Sequence, residues 1–111
     1  MGLYFIVQMT WEDFWYQQQV NPYNELAFMY NNKCYILLHC DYAWMISEYN
    51  PDTYDVGKTL AIEYEKNPGH KNYHDDANWN DMVDTCYRVL TLAIFGKKSF
   101  KDIIEDIIFE D

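Results

Sequence analysis

The spacing of apolar residues predicts a helix close to the start of the chain. Trp11, Phe14 and Trp15 recur at the spacing of one helical face. Thr10 precedes them as a capping residue, and Pro22 disfavours a helical conformation at the residue before it. The pattern therefore predicts a first helix that begins after Thr10 and ends before Pro22.

The pattern then changes to the alternation that is typical of strands. Residues 25–40 alternate around Asn31-Asn32, a pair that tolerates the positive φ of a two-residue turn, and so predict a β-hairpin. Residues 42–49 predict a third strand, which an Asn-Pro-Asp sequence ends. Residues 58–65 predict a fourth strand, with a short helix as the alternative.

A loop and two further helices follow. The loop begins at residue 66 and leads to Asp75 or Asp76 as the cap of the longest helix. Apolar residues follow the 3.6-residue period from Trp79 to Ile94, and Gly96 is predicted to end this helix.

Ser99 is predicted to cap the last helix, with Asp102 at the capping-box position. The apolar stripe of this helix runs from Phe100 to Ile108 and leaves Asp102, Glu105 and Asp106 on the solvated face.

These elements predict one α+β domain over residues 1–111. Its small antiparallel sheet of about four strands is flanked by an N-terminal helix, one long helix and a C-terminal helix. Its length is that of a single domain. Residues 1–8 are predicted to form an extra strand or to be an addition before a second start at Met9.

The charge of the chain changes the set of expected partners. Eighteen acidic residues oppose eight basic ones, for a formal net charge of −10. This balance disfavours direct binding to nucleic acid or to an anionic membrane, because both depend on Lys and Arg. It favours a basic protein surface as partner. A cytoplasmic location is expected because the start of the chain lacks the basic region and cleavage site of a signal peptide.

Three cysteines without a C-x-x-C pair predict neither a disulfide framework nor a structural zinc site. Cys34 and Cys40 are expected to be small buried apolar residues on one face of a strand. Cys86 falls on the apolar stripe of the long helix, where it would be inert.

One cluster has the residue types of a metal site. His70, His74, Asp75 and Asp76 offer imidazole and carboxylate ligands, although the H-E-x-x-H signature is absent. A polar loop with a helix cap explains the same residues, and the favoured prediction is that the protein binds no metal or cofactor. No catalytic residue is predicted, since the paired carboxylates fit helix starts or solvated faces.

Eleven tyrosines are more than a core of this size needs. Tyr49, Tyr54 and Tyr73 stand among short polar residues and are predicted to belong to a recognition surface, because tyrosine gives a large contact area at low entropic cost.

Two motifs resemble a known group of proteins. The hairpin sequence Y-N-N-K-C-Y-I (residues 30–36) and the closing sequence G-K-K-S-F-K-D-I-I-E-D-I (residues 96–107) are similar to the Y-N-G-K-x-Y hairpin and D-G-K-S-L-K-E-I-W helix of a loose group of small uncharacterised proteins. That group occurs in Gram-positive bacteria and their mobile elements. This chain departs from it at Asn32, Phe95 and Lys98. The resemblance implies a small α+β fold and no activity.

The favoured functional prediction is a non-enzymatic inhibitor from a phage or mobile element. Two acidic segments, residues 75–84 and 102–111, would imitate the phosphates of nucleic acid and occupy the basic surface of a defence nuclease. Anti-CRISPR and immunity proteins are similar in size and charge. The alternatives are a small metal-binding enzyme or metal-stabilised domain that uses the His70–Asp76 cluster, and a self-associating structural protein. The acidic residues predicted to contact the partner are Asp75, Asp76, Asp81, Asp84, Asp102, Glu105 and Asp106.

Overall fold

The computed structural model describes residues 9–69 and 71–109, and the predictions for residues 1–8 and for His70 lie outside them. Within the described ranges, no helix is both long and apolar enough to cross a membrane. The elements in chain order are α1 (Trp11–Val20), β1 (Glu25–Tyr30), β2 (Lys33–Cys40), β3 (Ala43–Asn50), β4 (Asp55–Tyr64), α2 (Asp76–Leu90), α3 (Phe100–Ile103), a 3-10 turn (Ile104–Asp106) and β5 (Ile108–Phe109).

The strands form one antiparallel sheet in the order β4-β3-β2-β1-β5, which confirms the α+β class and adds a fifth strand to the expected four. The predicted hairpin is present, and its turn residues Asn31 and Asn32 have φ angles of 51° and 61°. Asparagine tolerates this left-handed conformation better than most residues do, which suits the turn to this pair. Residues 58–65 lie largely within β4, so the strand prediction is confirmed over the helical alternative.

The first helix also begins and ends as predicted. The Asp13 amide donates to Thr10 Oγ1 over 3.2 Å, and α1 ends at Val20, before Pro22. Phe14 from this helix is fully buried, where its ring meets Phe100 at 5.1 Å between centroids.

The long helix ends at Leu90, four residues before Ile94, the last residue of its predicted apolar period. α2 stops at Leu90, and Thr91 Oγ1 donates to the carbonyls of Tyr87 and Arg88. Such a side-chain bond competes with the helical pattern. After Leu90 the chain is no longer helical, and Phe95 is buried in the core. Gly96, with a φ of 58°, lies in the tight turn that follows Phe95.

The prediction of a continuous C-terminal helix is also wrong. The capping box of Ser99 and Asp102 is present, but α3 spans only Phe100–Ile103. The chain then extends so that Phe109 pairs with Phe28 of β1 and is 8% exposed. Pairing of the chain end with the sheet edge outweighs the helical spacing of the isoleucines, because it satisfies backbone groups and buries an aromatic ring.

One face of the sheet packs against the helices and forms the core. The indole of Trp44, on β3, is fully buried and donates to the Met82 carbonyl of α2 over 3.1 Å. This bond fixes the long helix across the strands. The side chains that meet at this face include Phe28, Leu37, Trp44, Ile46, Met82, Val89, Leu90, Ile103 and Ile107.

Candidate protein-binding site

The three predicted interface tyrosines lie at two ends of the sheet. Tyr49 is half-buried near the end of β3, and Tyr54 is 77% exposed in the turn that follows. Tyr73 lies at the other end, where its hydroxyl donates to Glu65 just after β4. β3 has eight residues, so the two ends are about 25 Å apart at roughly 3.3 Å per residue. The three side chains therefore do not form one surface.

Asp81 is not part of an exposed acidic patch. It is 8% exposed, and its Oδ2 accepts from the Lys71 ammonium over 2.6 Å. The amides of Lys66 and Asn67 donate to its two oxygens over 3.0 Å each. Although burial opposes ionisation, the hydrogen bond from Lys71 and then the two amides lower the pKa of Asp81 to about 2.

Asp81 belongs to a buried ion network that holds the described loop residues, 66–69 and 71–75, against α2 and the sheet. Lys71 also donates to Glu65, whose side chain is fully buried. Burial alone would lower the pKa of Lys71, but its hydrogen bonds to Asp81 and Glu65 raise it. The Lys71 ammonium therefore stays charged, and it forms an internal ion pair with Asp81.

His39 and Tyr73 complete this network. His39 Nε2 lies 3.2 Å from Glu65 Oε2, and its ring stacks on Trp44 at 4.6 Å between centroids. Burial, followed by the charge of Glu65, raises the pKa of Tyr73, so its hydroxyl stays protonated as a donor. Glu65 thus accepts hydrogen bonds from Lys71 and Tyr73 and is in hydrogen-bond contact with His39 Nε2. The Tyr73 hydroxyl is therefore bonded to a buried carboxylate of the same chain.

In the candidate metal cluster, the backbone and side-chain bonds of the described residues explain their positions without a metal. Asp75 caps α2 by accepting from the Ala77 amide, and the His74 amide donates to Asn72 Oδ1. The side chains of His74 and Asp76 are exposed. Within residues 9–69 and 71–109, no group of three or more His, Cys, Asp or Glu side chains is arranged to hold a metal ion. Because His70 lies outside these ranges, the metal alternative stays a prediction.

The cysteines divide by exposure. Burial raises the pKa of Cys86 to about 12, with a hydrogen bond from Gln18 as a smaller opposing effect, as expected for an inert thiol. Cys34 is half-buried and Cys40 is exposed, so the expectation of burial is wrong for Cys40. Cys40 occupies the last position of β2, where the chain turns at Asp41 and Tyr42, and this position leaves its thiol in contact with solvent.

The remaining predicted acids lie on the helical side of the molecule. Asp84 is exposed on α2, while Asp102, Glu105 and Asp106 are exposed on α3 and the turn that follows it. Hydrogen bonds from the Ser99 amide and hydroxyl lower the pKa of Asp102, so this acid is also part of the helix cap. The carboxylates of Asp84, Glu105 and Asp106 are exposed to solvent.

An aromatic cluster on the same side joins the helices. Trp11 and Trp15 stack at 5.4 Å between centroids, and Tyr87 meets them edge-on at 6.1 and 5.2 Å. The Lys101 ammonium lies 5.3 Å from the Trp11 ring centre and 5.5 Å from that of Tyr87. We call Trp11, Trp15, Tyr87 and Lys101 the aromatic patch. The sequence pattern predicted only that Trp11 and Trp15 share a helical face, and it did not predict the aromatic patch.

Exposed acids border the aromatic patch. Glu12 precedes Trp15 by three residues on α1, and Asp84 precedes Tyr87 by three residues on α2. Residues three apart share a helix face, so each acid lies beside its aromatic neighbour. Tyr87 itself is 39% exposed. The aromatic patch, Glu12 and Asp84 make up the candidate surface that we call the helical face.

Three basic side chains are paired with acids or held against aromatic rings of the same chain. Lys71 is enclosed between Glu65 and Asp81, and Arg88 pairs with Glu63 over 3.1 Å. Lys101 is held over the rings of the aromatic patch. The ion pairs of Lys71 and Arg88 take up three acids and two bases, which accounts for only one of the ten formal negative charges. The acidic excess therefore lies in residues outside these pairs and favours basic partners.

Comparison of the chain with protein-family models, curated proteins and solved structures finds no significant match. The resemblance of the hairpin and closing motifs to small mobile-element proteins therefore stays a prediction.

Proposed function

We propose that the protein is a non-enzymatic, acidic binding module that inhibits a partner protein by covering its basic nucleic-acid-binding surface. A defence nuclease is the partner class that fits this chemistry. The helical face supplies the contact, and Asp84, Glu105 and Asp106 supply carboxylates in place of nucleic-acid phosphates. The phage or mobile-element origin belongs to the same proposal.

The observation that carries the proposal is the aromatic patch with its acidic border. Tryptophan and tyrosine dominate the binding energy of protein interfaces when they lie near the centre of the contact. Here two tryptophans of α1 and a tyrosine of α2 pack together at a partly exposed position. Surrounding charges increase the rate of encounter with a partner of opposite charge and disfavour partners of like charge.

The buried network supports the non-catalytic part of the proposal. The carboxylates of Glu65 and Asp81 are the most enclosed acids described, and both accept hydrogen bonds from groups of the same chain. A general base must be within hydrogen-bond reach of a substrate proton. These two carboxylates face Lys71, and their bonds hold the loop in place.

The test is capture of the partner followed by competition. Tagged protein is incubated with lysates of bacteria that carry defence systems, and bound proteins are eluted in salt steps or with duplex DNA. We expect elution of a basic nuclease by moderate salt and by DNA, because both compete for the same positive surface. The purified nuclease is then assayed for inhibition. A captured protein that lacks nucleic-acid-binding activity would contradict the proposed partner class.

Matched variants locate the contact. The triple substitution Asp84→Lys, Glu105→Lys and Asp106→Lys should abolish capture, because it reverses the three exposed carboxylates that the proposal assigns to the contact. The control has an equal change in net charge at exposed positions of the sheet and its turns: Glu25→Lys, Asp52→Lys and Asp55→Lys. Capture by the control and not by the test variant supports the proposal. Equal capture by both means that the helical face is not the contact.

A further inference from the structure

An open cleft of about 520 Å³ lies at the hairpin end of the sheet, on the face that packs against the helices. α2 ends at Leu90, and residues 94–96 line the side of the cleft beyond that point. The strand residues Tyr30, Lys33, Tyr35 and Glu48 line the other side. The cleft thus lies over a part of the sheet that residues 94–96, which follow α2, cover only partly.

The apolar lining of the cleft is aromatic. Phe95 meets Tyr30 at 5.6 Å and Tyr35 at 5.1 Å between ring centroids, both edge-on, and Leu60 and Ile94 extend this surface. Small-molecule sites typically enclose about 300–1,000 Å³, are lined by apolar and aromatic side chains and contain a few polar groups. The cleft has this size and this lining.

Tyr35 contributes a phenol hydroxyl to the lining. The residue as a whole is 8% exposed and lies among the residues that line the cleft. Burial, followed by the charge of Glu48, raises the pKa of Tyr35, so the hydroxyl stays neutral. Glu48 lies directly opposite Tyr35 in the pairing of β2 with β3. A phenol and a carboxylate are therefore presented together to the cleft.

A cation completes the polar set. Lys33 precedes Tyr35 by two residues on β2, so both side chains are on the same face of the sheet. Its position is diagonal to Glu48, a separation of roughly 7–8 Å. Within the described ranges, neither Lys33 nor Glu48 forms an ion pair. The cleft thus offers one positive and one negative group at its polar side.

We propose that this cleft binds a free aromatic α-amino acid as a zwitterion. The ligand ammonium is held by Glu48 and the Tyr35 hydroxyl, and the carboxylate is held by Lys33. The aromatic ring packs against Phe95 and the aliphatic wall. The inference uses residues outside the helical face, so it does not depend on the proposed function.

The test is a titration of isotope-labelled protein with L-phenylalanine, followed by NMR. Saturable shifts are expected at Tyr35, Glu48 and Phe95. Phenethylamine lacks the carboxylate and 3-phenylpropionate lacks the ammonium, so each should bind about tenfold more weakly or worse, the effect of losing one charged hydrogen bond. N-acetylphenylalanine amide lacks both charges and should bind still more weakly. Equal binding of all four compounds, or no saturable shift with phenylalanine, would overturn the proposal.

A variant pair assigns the ammonium to its partner. Glu48→Gln should weaken L-phenylalanine binding about tenfold and leave 3-phenylpropionate binding unchanged, since that compound has no ammonium. Glu25→Gln, at the opposite end of the sheet, is the control and should change neither affinity. Loss of both ligands in Glu48→Gln with a native spectrum, or no loss of either, would refute the assigned contact.

Discussion

The ammonium of Lys71 lies 2.6 Å from Asp81 Oδ2. This contact joins a loop residue to the long helix, and a second bond from Lys71 to Glu65 extends it to the end of β4. Breaking a buried ion pair leaves an uncompensated charge, which is strongly destabilising. The pair therefore fixes the position of α2 relative to the sheet.

Substitution of Asp81 tests that conclusion. Asp81→Asn removes the charge that faces Lys71, and we expect a loss of about 3–5 kcal/mol in the free energy of unfolding. Asp84→Asn is the matched control, because Asp84 is exposed one helical turn away. Its effect should be within about 0.5 kcal/mol. Urea denaturation measures both. Equal midpoints for the two variants would show that the network does not stabilise the fold.

The same carboxylate predicts an acid-sensitive component of stability. The folded state lowers the pKa of Asp81 from 3.8 to about 2. Its stabilising contribution is therefore present above 3.8 and is lost as the pH falls toward 2. The shift corresponds to roughly 2 kcal/mol. Denaturation curves over this pH range should show the loss in the wild-type protein and a smaller loss in Asp81→Asn. Parallel pH profiles for the two proteins would contradict the assignment.

Tyr73 provides an independent test of the network. Tyr73→Phe retains the ring and removes the hydroxyl that donates to Glu65. Hydrogen bonds to charged groups contribute about 1.5–3 kcal/mol, and we expect a loss of this size in the free energy of unfolding. Tyr54→Phe is the control, since that side chain is 77% exposed. The outcome against this prediction is a Tyr73→Phe variant as stable as the control.

Cys40 and Cys86 should differ in reactivity. Cys40 is exposed, whereas Cys86 is 2% exposed in the core and burial raises its pKa to about 12. Iodoacetamide should modify Cys40 in the folded protein and reach Cys86 only when urea unfolds the chain. Mass spectrometry of digested protein locates each adduct. Modification of Cys86 at the rate of Cys40 without denaturant would contradict the described packing.

Local signals explain which parts of the fold could be predicted. The Asn31-Asn32 turn, the Thr10 cap and the Ser99 capping box depend on residues a few positions apart, and all three are present. The end of α2 and strand β5 depend on distant partners. Phe95 packs on strand residues of β1 and β2, and Phe109 pairs with Phe28. Helical spacing does not contain that information.

The site shows the same division. Asp81 and Asp84 were both predicted to contact the partner as part of one acidic segment. Asp84 is exposed, but Asp81 is buried and bonded to Lys71 and two loop amides. The stacked pair Trp11 and Trp15 has a visible sequence signal, their separation by four residues. Their contact with Tyr87, more than seventy positions later, has no such signal.

The aromatic patch makes a prediction about binding to the captured partner. Tyr87→Ala should weaken the complex by about 2 kcal/mol or more, as expected for an aromatic residue near the centre of an interface. Tyr54→Ala, at the hairpin end of the sheet, is the control and should bind like the wild type. Isothermal titration gives both affinities, and circular dichroism verifies the fold of each variant. If Tyr54→Ala loses affinity and Tyr87→Ala does not, the turn after β3 is the contact.

The most direct measurement is competition between the protein and duplex DNA for the purified partner nuclease. Labelled DNA is bound to the nuclease, the protein is added, and anisotropy follows the release of DNA. We predict complete displacement by the wild type and none by the Asp84→Lys, Glu105→Lys and Asp106→Lys variant, because both ligands occupy one basic surface. A stable ternary complex of nuclease, DNA and protein would contradict the account.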